Sequence, residues 1–587
     1  MRSKGEWNLK KIISNKQQFY DYINKLNIEL NKFQKFKNNL NNDTSLSEFI
    51  AIIHALEKIN EIDKILFQYG SLKYAEDIQS SENLSIKTLV TRLHAEVLNK
   101  TEFFYDWWKT SINSKKAKSF MNSTNNLSYF LEHTRELSKY YLSEPKEQLI
   151  NTLSSTGASA LIKLYTNITN KFEYGLEFNG KTKSSTKEEI QNIIRTSSNA
   201  NTREKAYTSF LSVYNQNSLV LGDIYQNLVL NYKDTCIDLR KYKSPISVKT
   251  TRDGIDDEVI NAMLSSCKSN VYLFRKFFKI KAKELGMKKL RRYDLYAPIK
   301  SISTQKYTYA YASKIILSSW KNFNPSLHSF GRTVLCENNI DYGLRKNKKS
   351  GAFCAGIIPS MSPYISLSYK NNLESVLTLA HELGHAIHYV AASKNSILSI
   401  RATTPISETA STFSETLVLE SLLKENNSEN IKYLIFSQIE EYYAAIMRQA
   451  YITLFEIDAH EKISSGTTIS DLNKLYLTNL KEQFGNSLSI SKNFEVEWMS
   501  IPHIYNTPFY CYSYVFGSLL SLALLNKYNE EGNSFSKSYA KMLSEGGSKS
   551  PQKLLNECGL DITSKKTWDT GFDYISTKIN MLKSMIN

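Results

Sequence analysis

Ser375-Val376-Leu377-Thr378-Leu379-Ala380-His381-Glu382-Leu383-Gly384-His385-Ala386-Ile387-His388 reads as one helix with chemistry on one of its faces. Residues four apart on an α-helix stand one above the other, so His381 and His385 can turn both imidazoles toward a single ion. Glu382 lies a step round the helix from His381. From there its carboxylate reaches a water on that ion without binding the metal itself. A hydrolytic zinc site takes three protein ligands and keeps a fourth position for water. The third ligand must come from a neighbouring element.

Downstream, Pro405 opens a second helix through Ile406-Ser407-Glu408-Thr409-Ala410-Ser411-Thr412-Phe413-Ser414-Glu415. Glu408 sits in its first turn and is the expected third ligand. Glu415, two turns on along the same face, either orients a ligand imidazole from behind or is an ordinary solvated helix carboxylate. His388 shares the face of His381 and either lines the site or packs between helices. A metzincin would place a third histidine six residues after His385; Ala391 stands there, which excludes that class. Upstream, Thr333-Val334-Leu335-Cys336 and Gly351 to Tyr369 are rich in small, β-branched and aromatic residues, broken by Pro359 and Pro363. They predict a small sheet, the only strand-like material in the chain, beside a helix beginning near Asn372. A strand edge would then lie next to the metal.

Elsewhere the apolar spacing is helical. Asn15 to Asn42 is a polar helix with Phe19, Ile23, Leu26, Leu30 and Phe33 on one face. Ser47 to Tyr69 carries Phe49, Ile52, Ile53, Leu56, Ile59 and Ile62 in the same way, and Asp256 to Leu285 and Asn430 to Ile463 are long helices. The polar, turn-rich stretch Asn179 to Arg203 marks a boundary, giving an N-terminal helical lobe over 1–190 and a catalytic domain over 191–587.

Composition narrows the function classes. With 587 residues, 41% hydrophobic and 22% charged, the chain can bury a sizeable core. No run approaches eighteen apolar residues, so no membrane span is expected. The opening Met1 to Trp7, followed by Lys10 and Lys11, has no apolar stretch of the kind a signal peptide needs. Six scattered cysteines without a C-x-x-C pair predict a reduced, cytoplasmic protein. Lys and Arg exceed Asp and Glu by 74 − 57 = 17, but the basic residues are dispersed and no nucleic-acid motif accompanies them. A solvated basic surface, with at most a bias toward acidic peptides, is the expectation.

The segment Ala380 to His388 followed by Glu408-Thr409-Ala410-Ser411 resembles the oligoendopeptidase F branch of the thimet-oligopeptidase-like zinc metallopeptidases. The 23-residue step from His385 to Glu408 is similar to that branch. So are Arg292-Tyr293-Asp294-Leu295-Tyr296-Ala297-Pro298, Lys349-Ser350-Gly351-Ala352-Phe353, and Ile501-Pro502-His503-Ile504-Tyr505 running on to Pro508-Phe509-Tyr510. The resemblance implies a mainly α, two-lobed helical shell around a deep channel, with one Zn2+ per chain held by His381, His385 and Glu408. It implies cleavage of internal bonds in short, unstructured oligopeptides by a metal-bound water that Glu382 activates. It further implies that His503 and Tyr510 donate to the oxyanion, with Tyr505, Tyr512 and Tyr514 as other phenols whose orientation the sequence leaves open. Gly351, Ala352 and Phe353 resemble the family's substrate-binding strand; a plain strand with a bend is the alternative. Cys354 and Cys511 fall close to these segments and are either thiol-sensitive points or inert buried residues. A carboxypeptidase on the same scaffold would need a cation for the terminal carboxylate, and nothing in the sequence picks one out.

Overall fold

Helices make up most of the backbone in the computed structural model, which describes residues 5–178, 181–299, 306–425 and 428–586. They start where the sequence supplies caps. Ser45 and Glu48 form a capping box at the head of Leu46–Glu76, and the side chains of Asn15 and Asn372 each accept an N–H three residues on. Lys16–Gln34, Leu46–Glu76 and Asp257–Glu284 bury the stripes that their periodicity predicts. Ser428–Tyr442 runs through a π-helical turn, Tyr443–Met447, into Arg448–Ser464, so the long third helix is continuous.

Two expectations are corrected. Thr333 to Cys336 is not a strand but the last turn of the helix Pro325–Cys336. Asn324 caps that helix by accepting from Ser326 and Leu327, Pro325 takes the first position, and Leu327, Gly331 and Val334 bury one helical face. Burial at helical spacing outweighs the β preference of Thr333 and Val334. Strands also occur outside the region before the histidines. Tyr174–Phe178 and Lys181–Ser185 form an antiparallel hairpin, and Leu290–Arg291 pairs in parallel with Leu488–Ser489. The stretch Asn179 to Arg203 holds a strand of that hairpin, the helix Lys187–Thr196 with its Thr186–Glu189 capping box, and the start of Ala200–Gln216. Its polar composition reflects exposed faces of folded elements. Asn179 and Gly180, like Met1 to Lys4, lie outside the described residues.

The chain divides into two compact units, each assembled from three separate stretches. The first comprises Met1–Lys139, Gln305–Glu425 and Leu524–Asp561. One part of its core is aromatic, with Phe49 stacked on Phe120 and Trp108 at centroid distances of 4.6 and 5.3 Å. Another part gathers the helices Tyr309–Phe323, Pro325–Cys336, Leu373–Ala391 and Thr404–Glu425, where Trp320 Nε1 donates to Ser414 Oγ (3.0 Å). This unit also contains the predicted sheet. Tyr364–Ser366 is central, parallel to Ile340–Asp341 on one side and antiparallel to Phe353–Ala355 on the other, with Phe353 opposite Ser366. Buried Lys348 braces it by donating to the Asp341 carboxylate (2.9 Å) and to the Leu367 carbonyl (2.7 Å). Phe353–Ala355 is thereby fixed as an edge strand with one partner.

The second unit comprises Tyr140–Thr304, Asn426–Ala523 and Ile562–Asn587. Its interior holds charges in pairs, as buried charges require. Arg203 binds Asp294 (2.7 Å), and Arg292, 2% exposed, binds Glu497 (2.8 Å). The segment Arg292 to Pro298 is thus in part a structural motif.

Candidate active site

Leu373–Ala391 carries both histidines, and Thr404–Glu425 carries both expected carboxylates. The two helices touch at Gly384, where an added Cβ would lie 2.8 Å from Ser411 Cα and from Ser414 Cβ. Glycine here permits the backbone approach that brings one helix's imidazoles to the other's carboxylates.

His381 Nε2 lies 3.4 Å, and His385 Nε2 3.8 Å, from Glu408 Oε2. The rings of the two histidines stand nearly perpendicular, with centroids 4.8 Å apart. The Nδ1 atoms are engaged behind. His381 Nδ1 meets Glu415 Oε1 at 2.6 Å, and His385 Nδ1 meets Ser407 Oγ at 3.2 Å. A proton on each Nδ1 would leave the Nε2 lone pairs facing Glu408, the tautomer a metal ligand needs. Among the described residues this is the one group of three such donors whose ligand atoms lie within 4.8 Å of one another. Two imidazole nitrogens and a carboxylate are the donor set of a hydrolytic zinc site, so the residues present fit that ion.

The electrostatics also suit a cation. Burial alone would lower the His381 pKa, but the contacts with Glu408 and Glu415 raise it well above its ordinary value. Glu408 is itself held below the usual carboxylate range by the histidines despite burial. Burial, with the His381 charge, lowers His385 to about 4, which keeps its nitrogen free to ligate. Glu382 is 6% exposed, and burial pushes its carboxyl up to about 7.

A cavity of about 460 Å³ opens over these groups. Ala352, Phe353 and Cys354 of the edge-strand segment form one wall. Gly351 just precedes them at φ +87°, with open space where a Cβ would sit. His388 lines the same cavity and is buried, which lowers its pKa to about 4; it is not one of the clustered donors. Burial raises the Cys354 thiol well above its ordinary value, and it raises Cys511 as well, so both favour the unreactive protonated form. Ser407 and Arg401 are site residues the sequence reading did not single out. Ser407 could have been found as the residue next to Glu408 in the same first turn; Arg401 carries no local signal.

In the second unit, His503, Tyr510 and Tyr514 form their own cluster. Tyr514 Oη lies 3.4 Å from His503 Nε2, and the Tyr510 ring is 6.0 Å from His503 and 5.3 Å from Tyr514. Burial and the charge of Arg448 lower the His503 pKa. Tyr505 is engaged elsewhere, stacked on Tyr165 at 3.8 Å and donating to the Leu221 carbonyl. Tyr512 donates to Asp253 (2.5 Å).

The sequence matches the profile of peptidase family M3 over residues 193–574 and that of oligopeptidase F over 110–174. The chain belongs to peptidase family M3. It is a metallopeptidase, and it contains a His-His-Glu cluster fit for zinc. An oligoendopeptidase F homolog of Borreliella burgdorferi is 26% identical over 595 residues, covering 99% of this chain and 98% of that protein. Oligopeptidase PepF of Bacillus subtilis is 24% identical over 91% of this chain and 81% of its own length. The fold matches a crystal structure of a Chlamydophila abortus protein at TM-score 0.87 (22% identity, 99% and 98% coverage). It matches oligoendopeptidase-F from Enterococcus faecium at 0.71 (18% identity, 97% and 99% coverage). The mainly helical architecture expected of the family is the one observed.

Proposed function

We propose that the chain is a zinc-dependent endopeptidase that cuts internal bonds of short, unstructured oligopeptides, with one Zn2+ per chain held by His381, His385 and Glu408. The observation that carries this reading is the convergence of two Nε2 atoms on one Glu408 oxygen beside buried Glu382. When bound, the ion supplies a Lewis acid that polarises the peptide carbonyl and acidifies water beside it. Glu382 takes the proton of the attacking water and delivers it to the leaving amine. Glu415 holds the His381 ring in its ligating tautomer, and Ser407 does the same for His385. The free edge of the strand at Ala352 and Phe353 offers its main chain to an extended peptide, a mode of binding with little side-chain demand, and Gly351 leaves room for the backbone to approach. His503 and Tyr510 donate to the carbonyl oxygen as charge builds on it, each such donor contributing about 3 kcal/mol. Support for that pair comes from the family resemblance of residues 501–510 and from their clustering.

Catalysis is assigned to 191–587 and an N-terminal lobe to 1–190, a division supported by the two profile matches falling on either side of it. The compact units cut the chain elsewhere. A cytoplasmic location is supported by six free cysteines. No helix among the described residues is long and apolar enough to cross a membrane.

Digestion of a mixed peptide pool by the purified protein, with and without a zinc chelator, tests the reading by mass spectrometry. Internal cuts in short peptides that the chelator abolishes are expected. Cuts confined to terminal residues would replace it with an exopeptidase, and absence of cleavage by zinc-loaded protein would overturn it.

A further inference from the structure

Arg401 stands in the wall of the cavity that holds His381, Glu382 and Glu408. Its Nη2 donates to the Gly356 carbonyl (3.0 Å), which ties the loop before the glutamate-bearing helix to the residue just past the edge strand. A guanidinium has five N–H donors, and that bond uses one. Arg401 is exposed and forms no ion pair among the described residues.

A second cation lies in its field. Lys64, half-buried on Leu46–Glu76, has its ammonium destabilised by burial and then by the charge of Arg401. Asp63 offsets this only in part, and it is bonded to His94 (2.7 Å). The field of Arg401 also reaches Cys354 and Tyr389, both in the cavity wall. A cation in the field of another is destabilised, and such groups cluster where a ligand supplies the opposite charge. The carbonyl bond accounts for one of the donors of Arg401. It does not explain why the position carries a charge.

We propose that Arg401, reinforced by the charge of Lys64, forms a carboxylate-binding subsite of the metal cavity and selects peptides that carry a negative charge close to the cleaved bond. The inference rests on the peptidase reading and deepens it by naming the substrate class. At about 460 Å³ the cavity is of small-ligand size, so a carboxylate at Arg401 belongs to a residue within a few positions of the reacting carbonyl. An Asp or Glu side chain and a C-terminal α-carboxylate present the same chemistry. The chain's excess of 17 positive charges would draw either toward the protein.

The test uses the zinc-loaded full chain and four versions of one cleavable peptide: Asp or Asn near the cleaved bond, each with a free or amidated C-terminus. Carboxylate-bearing peptides should show kcat/KM higher by about 10- to 100-fold, mostly through KM, the range expected of a charge-assisted pair. The Asp/Asn arm and the acid/amide arm tell which carboxylate is read. In Arg401→Gln that ratio should fall toward one, and Arg401→Lys should keep part of it. A role confined to tying the loop would shift stability and leave the ratio between peptides intact. Equal kcat/KM for all four peptides in the wild type, or a ratio unchanged in Arg401→Gln, overturns the subsite. Cleavage of none of them would refute the peptidase reading instead. The subsite is then decided by fluorescence anisotropy with the same peptides, where tighter binding of the carboxylate forms upholds it and equal binding overturns it.

Discussion

Glu382 and Glu415 are both carboxylates near His381, yet their surroundings differ. Glu382 is buried in the cavity wall, whereas Glu415 is bound to His381 Nδ1 at 2.6 Å. Replacing Glu382 with Gln keeps the shape but removes proton transfer, so turnover should fall by about 10²–10⁴-fold while zinc content stays near one per chain. Metal analysis beside peptide hydrolysis checks this, and a Gln variant with a near-normal rate would remove Glu382 from the base role. Glu415→Gln should act first on the metal. Losing the charge behind His381 is expected to weaken zinc binding by about 10- to 100-fold, which a competition titration with a chromophoric chelator would read. Unchanged affinity would make Glu415 the ordinary helix carboxylate that its sequence position also allows. At this scale His381, His385 and Glu382 were legible because one helical period sets their spacing. Ser407 offered only its place beside Glu408 in the same first turn; its contact with His385 came from the packing of the two helices.

Between elements, the site depends on how closely Leu373–Ala391 approaches Thr404–Glu425. Gly384 sets that approach. In Gly384→Ala the new methyl would meet the Ser411 backbone, which cannot swing aside as a flexible side chain would. Overpacking of this kind costs about 1–3 kcal/mol, and here it would also part the imidazoles from Glu408. A lowered Tm together with weakened zinc binding is expected. A variant that melted lower but bound zinc normally would show that the ligand geometry is set elsewhere. Helices were readable from their stripes and caps, while the short strands were read unevenly. Phe353–Ala355 and Tyr364–Ser366 lie in a segment broken by two prolines, whereas Thr333 to Cys336 has β-branched residues but sits behind the Asn324–Pro325 cap. Its fate was decided by the start of its helix, eight residues upstream, and by the burial of Leu327 and Val334.

Across the whole molecule, stability depends on charges that the fold has taken out of water. Glu456 is fully buried and accepts the Phe509 N–H (2.9 Å) at a residue with φ +61°. Burial raises its carboxyl to about 8, and the Phe509 bond offsets this only in part. A carboxyl whose folded pKa is raised stabilises most fully below its unfolded value of 4.5; that contribution is lost as pH climbs through about 8. Within this window the group costs about 1.4 kcal/mol per pH unit. Glu456→Gln, neutral in both states, should therefore flatten the decline in Tm between pH 5 and 8 relative to the wild type. Parallel melting profiles would show that Glu456 is ionised in the folded protein. The pairs Arg203–Asp294 and Arg292–Glu497 are the opposite case, charges buried together.

The sequence by itself determined the helical class, the family, and the residues His381, His385 and Glu408 that the fold brings into one cluster. Each of these rests on spacing along one helix or on motifs that survive as strings of residues. Only the tertiary structure decided which carbonyls, hydroxyls and cations meet the site. It put Ser407 behind His385, made Phe353–Ala355 an edge strand, divided the chain into units of three stretches each, and set Arg401 beside His381, His385 and Glu408 in one cavity. The reason is physical. A helical period fixes neighbours three and four residues away, whereas contact between residues tens or hundreds apart depends on how whole elements pack, and packing is set jointly by side chains that no local pattern connects.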